Sequence, residues 1–226
     1  MATAEAPSFS SELFAFLREL KANNEREWFN ANKARYENDI KEPALAFVED
    51  MAYRLPQVAP QLTADKRSLF RIYRDTRFAK DKTPYKTHVG IYFRHARSAD
   101  ADTAGMYVHL EPRHLFLGAG IWHPGTPALK RIRDALVARP EGWREAVAAV
   151  GPEWQLAEGE RLTRPPAGYA KDHPLIEDIK RKSFAITSPI TQRDATSSGF
   201  LDLCEARAAQ ARPFMAFICS ALGVEY

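Results

Sequence analysis

The chain has 226 residues, a formal net charge of +3 at pH 7, 45% hydrophobic residues and 27% charged residues. This length allows one large domain or two small ones, and the composition is typical of a globular protein and excludes a disordered chain. No apolar run approaches the ~18 residues of a membrane-spanning helix, so we expect no membrane partner.

The first residues carry no secretion signal. Residues 1–10, MATAEAPSFS, have no basic region followed by an apolar one, which argues against export. We expect residues 1–8 to be a disordered tail on a single domain that spans the chain. Cys204 and Cys219 fall in an apolar helical pattern, so we expect buried thiols in a cytoplasmic protein rather than a disulfide.

Three helices are predicted in the N-terminal quarter. The first has its N-cap among Ser8–Ser11, and apolar residues then recur at helical spacing. The second covers Glu25–Ile40, with its aromatic residues on one side. The third begins at Pro43, which suits a first helical turn, and ends at Pro56, which lacks a donor for the hydrogen-bond ladder.

Strand-like patterns follow a linker at residues 57–65. Their connections are short and rich in turn residues, which favours antiparallel pairing because a parallel crossover needs a dozen or more residues. The sequence predicts a meander of about four strands, at residues 69–73, 89–93, 105–111 and 114–122.

Helical patterns return after the strands. Thr126-Pro127 is typical of a helix start, a second helix covers residues 141–150, and Phe200–Leu222 is helical with a kink at Pro213. A short strand is expected at Ser183–Thr187. The order of helices, strands and helices predicts an α+β fold, in which an antiparallel meander sheet is flanked by N-terminal and C-terminal helices.

Positive charge is concentrated in residues 66–88, KRSLFRIYRDTRFAKDKTPYKTH. This stretch has eight Lys or Arg and two Asp, a net charge of +6, although the whole chain carries only +3. Arginine presents a planar fork of donors that suits phosphate or carboxylate. The sequence therefore suggests an anion site; its candidate ligand-binding residues are Arg71, Arg74, Arg77, Lys80, Lys82, Tyr85 and Lys86.

Three interpretations of this basic stretch remain open. Asp75 and Asp81 could pair with the cations and leave the rest as a solvated surface. The cations could instead bind a small phosphate-bearing molecule, which is the function we favour. They could also bind nucleic acid, with Phe70, Tyr73, Phe78 and Tyr85 as stacking surfaces. Arg71, Arg74 and Arg77 converge only if their strand ends or bulges near Arg74, because neighbouring strand positions face opposite ways.

A second group of polar residues could carry chemistry. His109 and Glu111 are two apart on a predicted strand and so share a face. If the sheet brings His88 alongside, the three could hold a divalent metal or move a proton, although a structural histidine is the commoner case. A metal-dependent phosphoesterase would need Asp75, Asp81 or Glu111 beside Lys82. No zinc-motif spacing is present, so the sequence assigns no metal, cofactor, catalytic residue or oligomeric state.

Several motifs together resemble one known family. They are Asn-Asn-Glu-Arg-Glu-Trp-Phe at residues 23–29, the block at residues 70–86, Val-His-Leu-Glu-Pro at residues 108–112 and Gly-Ala-Gly at residues 118–120. This combination resembles the bacterial and fungal family called domain of unknown function 2461, and the likeness continues to Lys180. The resemblance implies one domain with the central block as its hallmark, and implies no reaction, cofactor or partner.

Overall fold

The computed structural model describes residues 8–98 and 102–226, so residues 1–7 of the expected tail lie outside it. Within these ranges the helices are α1 Ser11–Ala22, α2 Arg26–Ala31, α3 Lys33–Tyr36, α4 Glu42–Val58, α5 Thr126–Ala138, α6 Pro140–Ala148, α7 Ile176–Ile179, α8 Gln192–Ala195 and α9 Phe200–Leu222. A π-helical turn, Glu37–Lys41, joins α3 to α4, and a 3-10 turn covers Lys66–Ser68. No helix of the described residues is both long and apolar enough to cross a bilayer.

One antiparallel sheet organises the fold. Its strands are β1 Leu62–Thr63, β2 Val89–His95, β3 Gly105–Glu111, β4 His114–Ile121, β5 Gln155–Leu156 and β6 Phe184–Ile190. They lie in the order β1-β2-β3-β4-β6-β5, and every pairing is antiparallel. The expected α+β fold with a meander sheet and flanking helices is therefore confirmed.

Helices cover one face of this sheet. Phe47 of α4 lies 6.4 Å from Phe93 of β2 and 5.4 Å from Phe200 of α9, measured between ring centroids. Trp143 of α6 packs edge-on against Phe184 of β6 at 5.9 Å. These rings belong to a continuous core of buried side chains, and burying each large apolar side chain contributes roughly 1.5–3 kcal/mol. One face of each central strand is thereby fixed as the inner face.

Several predicted boundaries were wrong: the helix expected over Glu25–Ile40 is divided into α2, α3 and the π-helical turn. Residues 69–73 form no regular strand: only Leu69 and Tyr73 make isolated bridges, to Ile91 and Tyr85. The edge strand lies instead in the expected linker, at Leu62–Thr63. Helix α4 continues past Pro56 to Val58. A proline is tolerated there because the carbonyl that loses its hydrogen bond belongs to Ala52, an exposed residue that water can reach.

The C-terminal predictions agree better with the structure. The strand expected at residues 183–187 is β6, which extends to Ile190 and pairs with β4. Helix α9 spans Phe200–Leu222 with Pro213 inside it, and both Cys204 and Cys219 are buried and unpaired. The sheet is wider than the expected meander because β6, which follows α5, α6 and α7 in the chain, pairs with β4 and β5 pairs with β6.

Candidate functional site

A cluster of two histidines and one glutamate lies on the face of the sheet opposite the helices. His109 and Glu111 share this face of β3, and His88 immediately precedes β2, which pairs Gly90 with His109. One ligand atom from each of His88, His109 and Glu111 lies within 4.8 Å of the other two. We call these three residues the triad. The expected condition, that the sheet brings His88 beside the other two, is met.

The distances within the triad are close to those between the ligands of a metal ion. His109 Nε2 lies 3.5 Å from Glu111 Oε2, and the rings of His88 and His109 are 4.5 Å apart. Ligands held at ~2.1 Å from a tetrahedral ion are roughly 3.4 Å from one another. Small side-chain rotations would therefore bring the widest pair into range.

Both imidazoles are held in the neutral form that metals bind. Burial, followed by the charge of His88, lowers the pKa of His109 to about 4. Burial also lowers the pKa of His88. Burial raises the pKa of Glu111, but hydrogen bonds from His109 and Lys21 outweigh that effect and leave it below its usual value. At neutral pH the triad therefore offers two neutral nitrogens and one carboxylate.

Aromatic rings fix the orientation of His109. Its ring stacks on Phe116 with centroids 4.8 Å apart, and its Nδ1 lies 3.0 Å from the Tyr107 hydroxyl. While Nε2 donates to Glu111, the Tyr107 hydroxyl donates to Nδ1; with the proton moved to Nδ1 and donated to Tyr107, the Nε2 lone pair would be free for a metal. A metal-binding histidine commonly makes such a bond through its second nitrogen, because that bond selects the tautomer and the ring position.

Two more polar residues border the triad. His114 begins β4 and places its Nδ1 4.0 Å from Glu111 Oε2, with an exposed side chain. Lys21 at the end of α1 bonds the other oxygen, Oε1, at 3.4 Å. Lys21 is itself exposed, so this ion pair is weak and can be replaced by a stronger partner of the carboxylate.

Of the predicted cations, Lys86 lies near the triad and Arg71 lies next to Lys86. Lys86 is two residues before His88, and its charge lowers the pKa of His88. Its ammonium lies 5.3 Å from the centre of the Phe70 ring and donates to the Arg71 carbonyl at 2.8 Å. Burial and the nearby Arg71 charge together lower the pKa of Lys86. Arg71 is exposed, and its charge helps to lower the pKa of Asp75.

The other predicted cations lie on a projecting loop. Main-chain bonds from Arg74 to Pro84 and from Lys86 to Ile72 close its base, and we call residues 74–84 the basic loop. On it, Arg74 pairs with Asp81 at 2.5 Å and Arg77 pairs with Asp75 at 2.7 Å. Lys82 donates to the carbonyls of Thr76 and Arg77, and Lys80 is exposed. The structure thus does not gather the seven candidates in one place.

Tyr85 does not face a ligand-accessible surface. Its side chain is 3% exposed and stacks on Phe29 of α2 at 4.1 Å. The main chain of Tyr85 also exchanges two hydrogen bonds with the Asn24 side chain. Neighbouring strand positions point to opposite faces, so Tyr85 belongs to the inner face whereas Lys86 belongs to the outer one.

A groove extends from the triad across the outer face of the sheet. Its volume is about 930 Å³, and its lining includes Phe70, Tyr92, Tyr107, His114, Phe116, Gly118, Trp122, Asp102 and Glu158. The Tyr92 side chain covers Gly105, and the Tyr107 side chain covers Gly90. No side chain covers Gly118 in this way, since a Cβ added there would meet nothing closer than 3.6 Å. The groove therefore reaches the main chain at Gly118.

The sequence interpretation missed this groove. The alternation of Tyr107, His109 and Glu111 on β3 was a usable signal, because it puts three polar-tipped residues on one face. The contributions of Phe116 and Trp122 depend on the pairing of β3 with β4, which the pattern suggested without fixing its register.

Comparison with protein families identifies one match. The family model described as "Conserved hypothetical protein (DUF2461)" matches residues 12–217. No curated protein and no solved structure matches the chain. The match covers the basic loop, the triad and the groove together.

Proposed function

Since the chain belongs to the DUF2461 family, whose description names no reaction, we propose a function from the site itself. The protein binds a divalent transition-metal ion at His88, His109 and Glu111 and uses it to bind and hydrolyse a phosphate ester. The observation that carries this proposal is the convergence of three ligand atoms within 4.8 Å.

The donor set suits a catalytic metal better than a structural one. Two imidazole nitrogens and one carboxylate are the ligands of several zinc hydrolases, and three protein ligands leave a coordination position for water or substrate. Hard ions such as Mg²⁺ prefer oxygen ligands, so we expect Zn²⁺ or a similar ion. Such an ion supplies a polarised phosphoryl oxygen and a bound water of lowered pKa.

The cations beside the triad suit the anionic part of the substrate. Lys86 and Arg71 would hold phosphate oxygens that the metal does not contact, through charge-assisted hydrogen bonds. In the hydrolysis, a water oxygen bonds to phosphorus, the ester P–O bond breaks, and the alcohol leaves with a proton. His114, exposed at the mouth of the triad and 4.0 Å from Glu111, would take part in that proton transfer.

Zinc titration by calorimetry tests the metal site. We expect one Zn²⁺ per chain, with affinity lowered at least tenfold by His109→Phe or Glu111→Gln. His123→Asn is the matched control, because His123 lies outside the triad and asparagine tolerates its left-handed backbone, φ 47°. Hydrolysis of p-nitrophenyl phosphate should require the metal and fall in Lys86→Met. Equal zinc binding by the wild type and both triad variants would refute the proposal.

The basic loop favours a second candidate function, nucleic-acid binding. Phe78 in this loop is 95% exposed, the Arg77 guanidinium lies 5.9 Å from the centre of its ring, and Lys80 and Lys82 follow in the sequence. An exposed aromatic ring among cations is the arrangement on which single-stranded bases stack. The two proposals use separate residues, so they can be tested separately.

The proposed location is the cytoplasm. Cys204 and Cys219 are both buried and free, and a reducing compartment would keep them so.

A further inference from the structure

The groove next to the triad has the features of a site for a flat ring. Aromatic side chains of Phe70, Tyr92, Tyr107, Phe116 and Trp122 line a cavity of about 930 Å³, a volume within the usual range for small-molecule sites. Trp122 is 57% exposed and Phe70 is 37% exposed, so both have uncovered ring surface. An aromatic surface of this extent recognises flat rings by stacking.

Gly118 leaves an open space on the outer face of the sheet that a flat ring could enter, and we call this space the slot. Gly118 lies on β4 opposite Tyr107, between the Tyr107 Cβ and the edge of Phe116. Any larger residue would fill the space above the main chain here, as Tyr107 does above Gly90, where a Cβ would come within 2.6 Å of its hydroxyl. The sheet is therefore left bare at one position between two aromatic side chains.

The distance from this slot to the triad suits a linked ring and phosphate. Gly118 is two residues along β4 from Phe116, which pairs with His109. Two residues of a strand span about 7 Å, a length that a sugar ring can bridge. A ring placed at Gly118 would thus have its phosphate at the triad.

Charge differs between the two ends of the groove. Lys86 lies at the triad end, where its charge acts on His88 and its ammonium lies over the Phe70 ring. Asp102 and Glu158 line the groove near Trp122, since Asp102 lies against Gly125 and the Trp122 ring lies against Gly159, the residue after Glu158. An occupant should therefore be anionic at one end and carry N–H donors at the other.

We infer that the groove binds the base of a nucleotide, with N–H donors directed toward Asp102 and Glu158 and the phosphate directed to the triad. This inference deepens the proposed function and rests on it for the position of the phosphate. The ring site itself requires no metal, so it can be tested separately.

Calorimetric titrations with three compounds distinguish binding of the base from binding of the phosphate. Adenosine should bind the metal-free protein. For the zinc-loaded protein, adenosine 5′-monophosphate should bind at least tenfold more tightly than ribose 5-phosphate. Gly118→Val fills the slot with a residue that strands favour, and it should remove adenosine binding and this tenfold advantage while leaving zinc affinity unchanged.

Two further variants test the base site independently of Gly118→Val. Trp122→Ala removes a half-exposed ring and should weaken adenosine binding without unfolding the protein, which keeps the test valid if Gly118→Val does not fold. Asp102→Asn combined with Glu158→Gln should weaken adenosine 5′-monophosphate and leave ribose 5-phosphate unaffected.

The outcomes distinguish this inference from the proposed function. If zinc binds at the triad but the two phosphates bind equally and adenosine does not bind, the nucleotide inference is wrong and the metal site stands. If zinc does not bind, the proposed function fails, and adenosine binding that Gly118→Val abolishes still supports the base site. Adenosine affinity that is the same in wild type, Gly118→Val and Trp122→Ala overturns the inference.

Discussion

The rings of His88 and His109 lie 4.5 Å apart at an interplanar angle of 33°, although they come from neighbouring segments of the sheet. Two imidazoles this close disfavour protonation of each other, because two positive charges would repel at short range. Burial acts in the same direction on both. The pair is thus held neutral beside a carboxylate, which is the state that a divalent ion requires.

Tyr85 should prove structural and not ligand-binding. Tyr85→Ala removes the stack on Phe29 and leaves a cavity, so we expect a loss of roughly 3–5 kcal/mol in the free energy of unfolding. Tyr85→Phe keeps the ring and should be nearly neutral, since the Asn24 bonds involve only the main chain. Urea denaturation measures both. A stable Tyr85→Ala protein that loses phosphate binding would contradict this assignment.

Two glycines of β4 should respond differently to alanine. Gly120 has φ +126°, and a Cβ there would collide with the Phe184 carbonyl, so Gly120→Ala should cost at least ~1–3 kcal/mol. Gly118 has room for a Cβ at ordinary contact distance, and Gly118→Ala should change stability by less than about 1 kcal/mol. Chemical denaturation of both variants measures the change in the free energy of unfolding. Equal losses in Gly118→Ala and Gly120→Ala would contradict the backbone conformation of β4.

Nucleic-acid binding by the basic loop would show a defined salt dependence. If Arg77 and Lys80 each contact a phosphate of a single strand, removing both should reduce the slope of log affinity against log salt by about 1.4. Phe78→Ala should weaken binding with little change in slope, because stacking carries no charge. Lys130→Ala is the control, as Lys130 lies on α5 and pairs with Asp134. If none of these loop variants alters the affinity for oligothymidine, the basic loop is not the nucleic-acid-binding surface.

The buried thiols should make the fold sensitive to alkali. Burial raises the pKa of Cys219 from 9.0 to about 11 and also raises the pKa of Cys204. The unfolded chain releases these protons first, so this contribution to stability is present below pH 9 and falls as the pH rises toward 11. Thiol titration at pH 8 should find both cysteines unreactive until denaturant is added. Rapid labelling of the folded protein would contradict their burial.

The fold was largely predictable because its signals are local. Apolar spacing in α1 and α9 and alternation in β3 follow from which side chains must be buried, and the structure agrees. The edge strand at Leu62–Thr63 escaped prediction because two residues carry no periodicity. Its pairing with Arg94 and His95 is a tertiary interaction.

The candidate site was predictable only in part. That His109 and Glu111 share a face follows from strand alternation, and the position of His88 depended on pairing that the short connections suggested. For the basic stretch the sequence left open whether Asp75 and Asp81 pair with the cations, and only the structure shows that Arg74 pairs with Asp81 and Arg77 with Asp75. The groove depends on Gly118 and the rings around it, which only the assembled sheet brings together.

Anomalous diffraction from crystals grown with Zn²⁺ tests the metal proposal most directly. The account predicts one strong zinc peak on the outer face of the sheet, ~2.0–2.2 Å from nitrogens of His88 and His109 and from an oxygen of Glu111. The peak should be absent in crystals of Glu111→Gln. No peak at the triad in the wild type, with zinc bound elsewhere on the surface, would contradict the proposal.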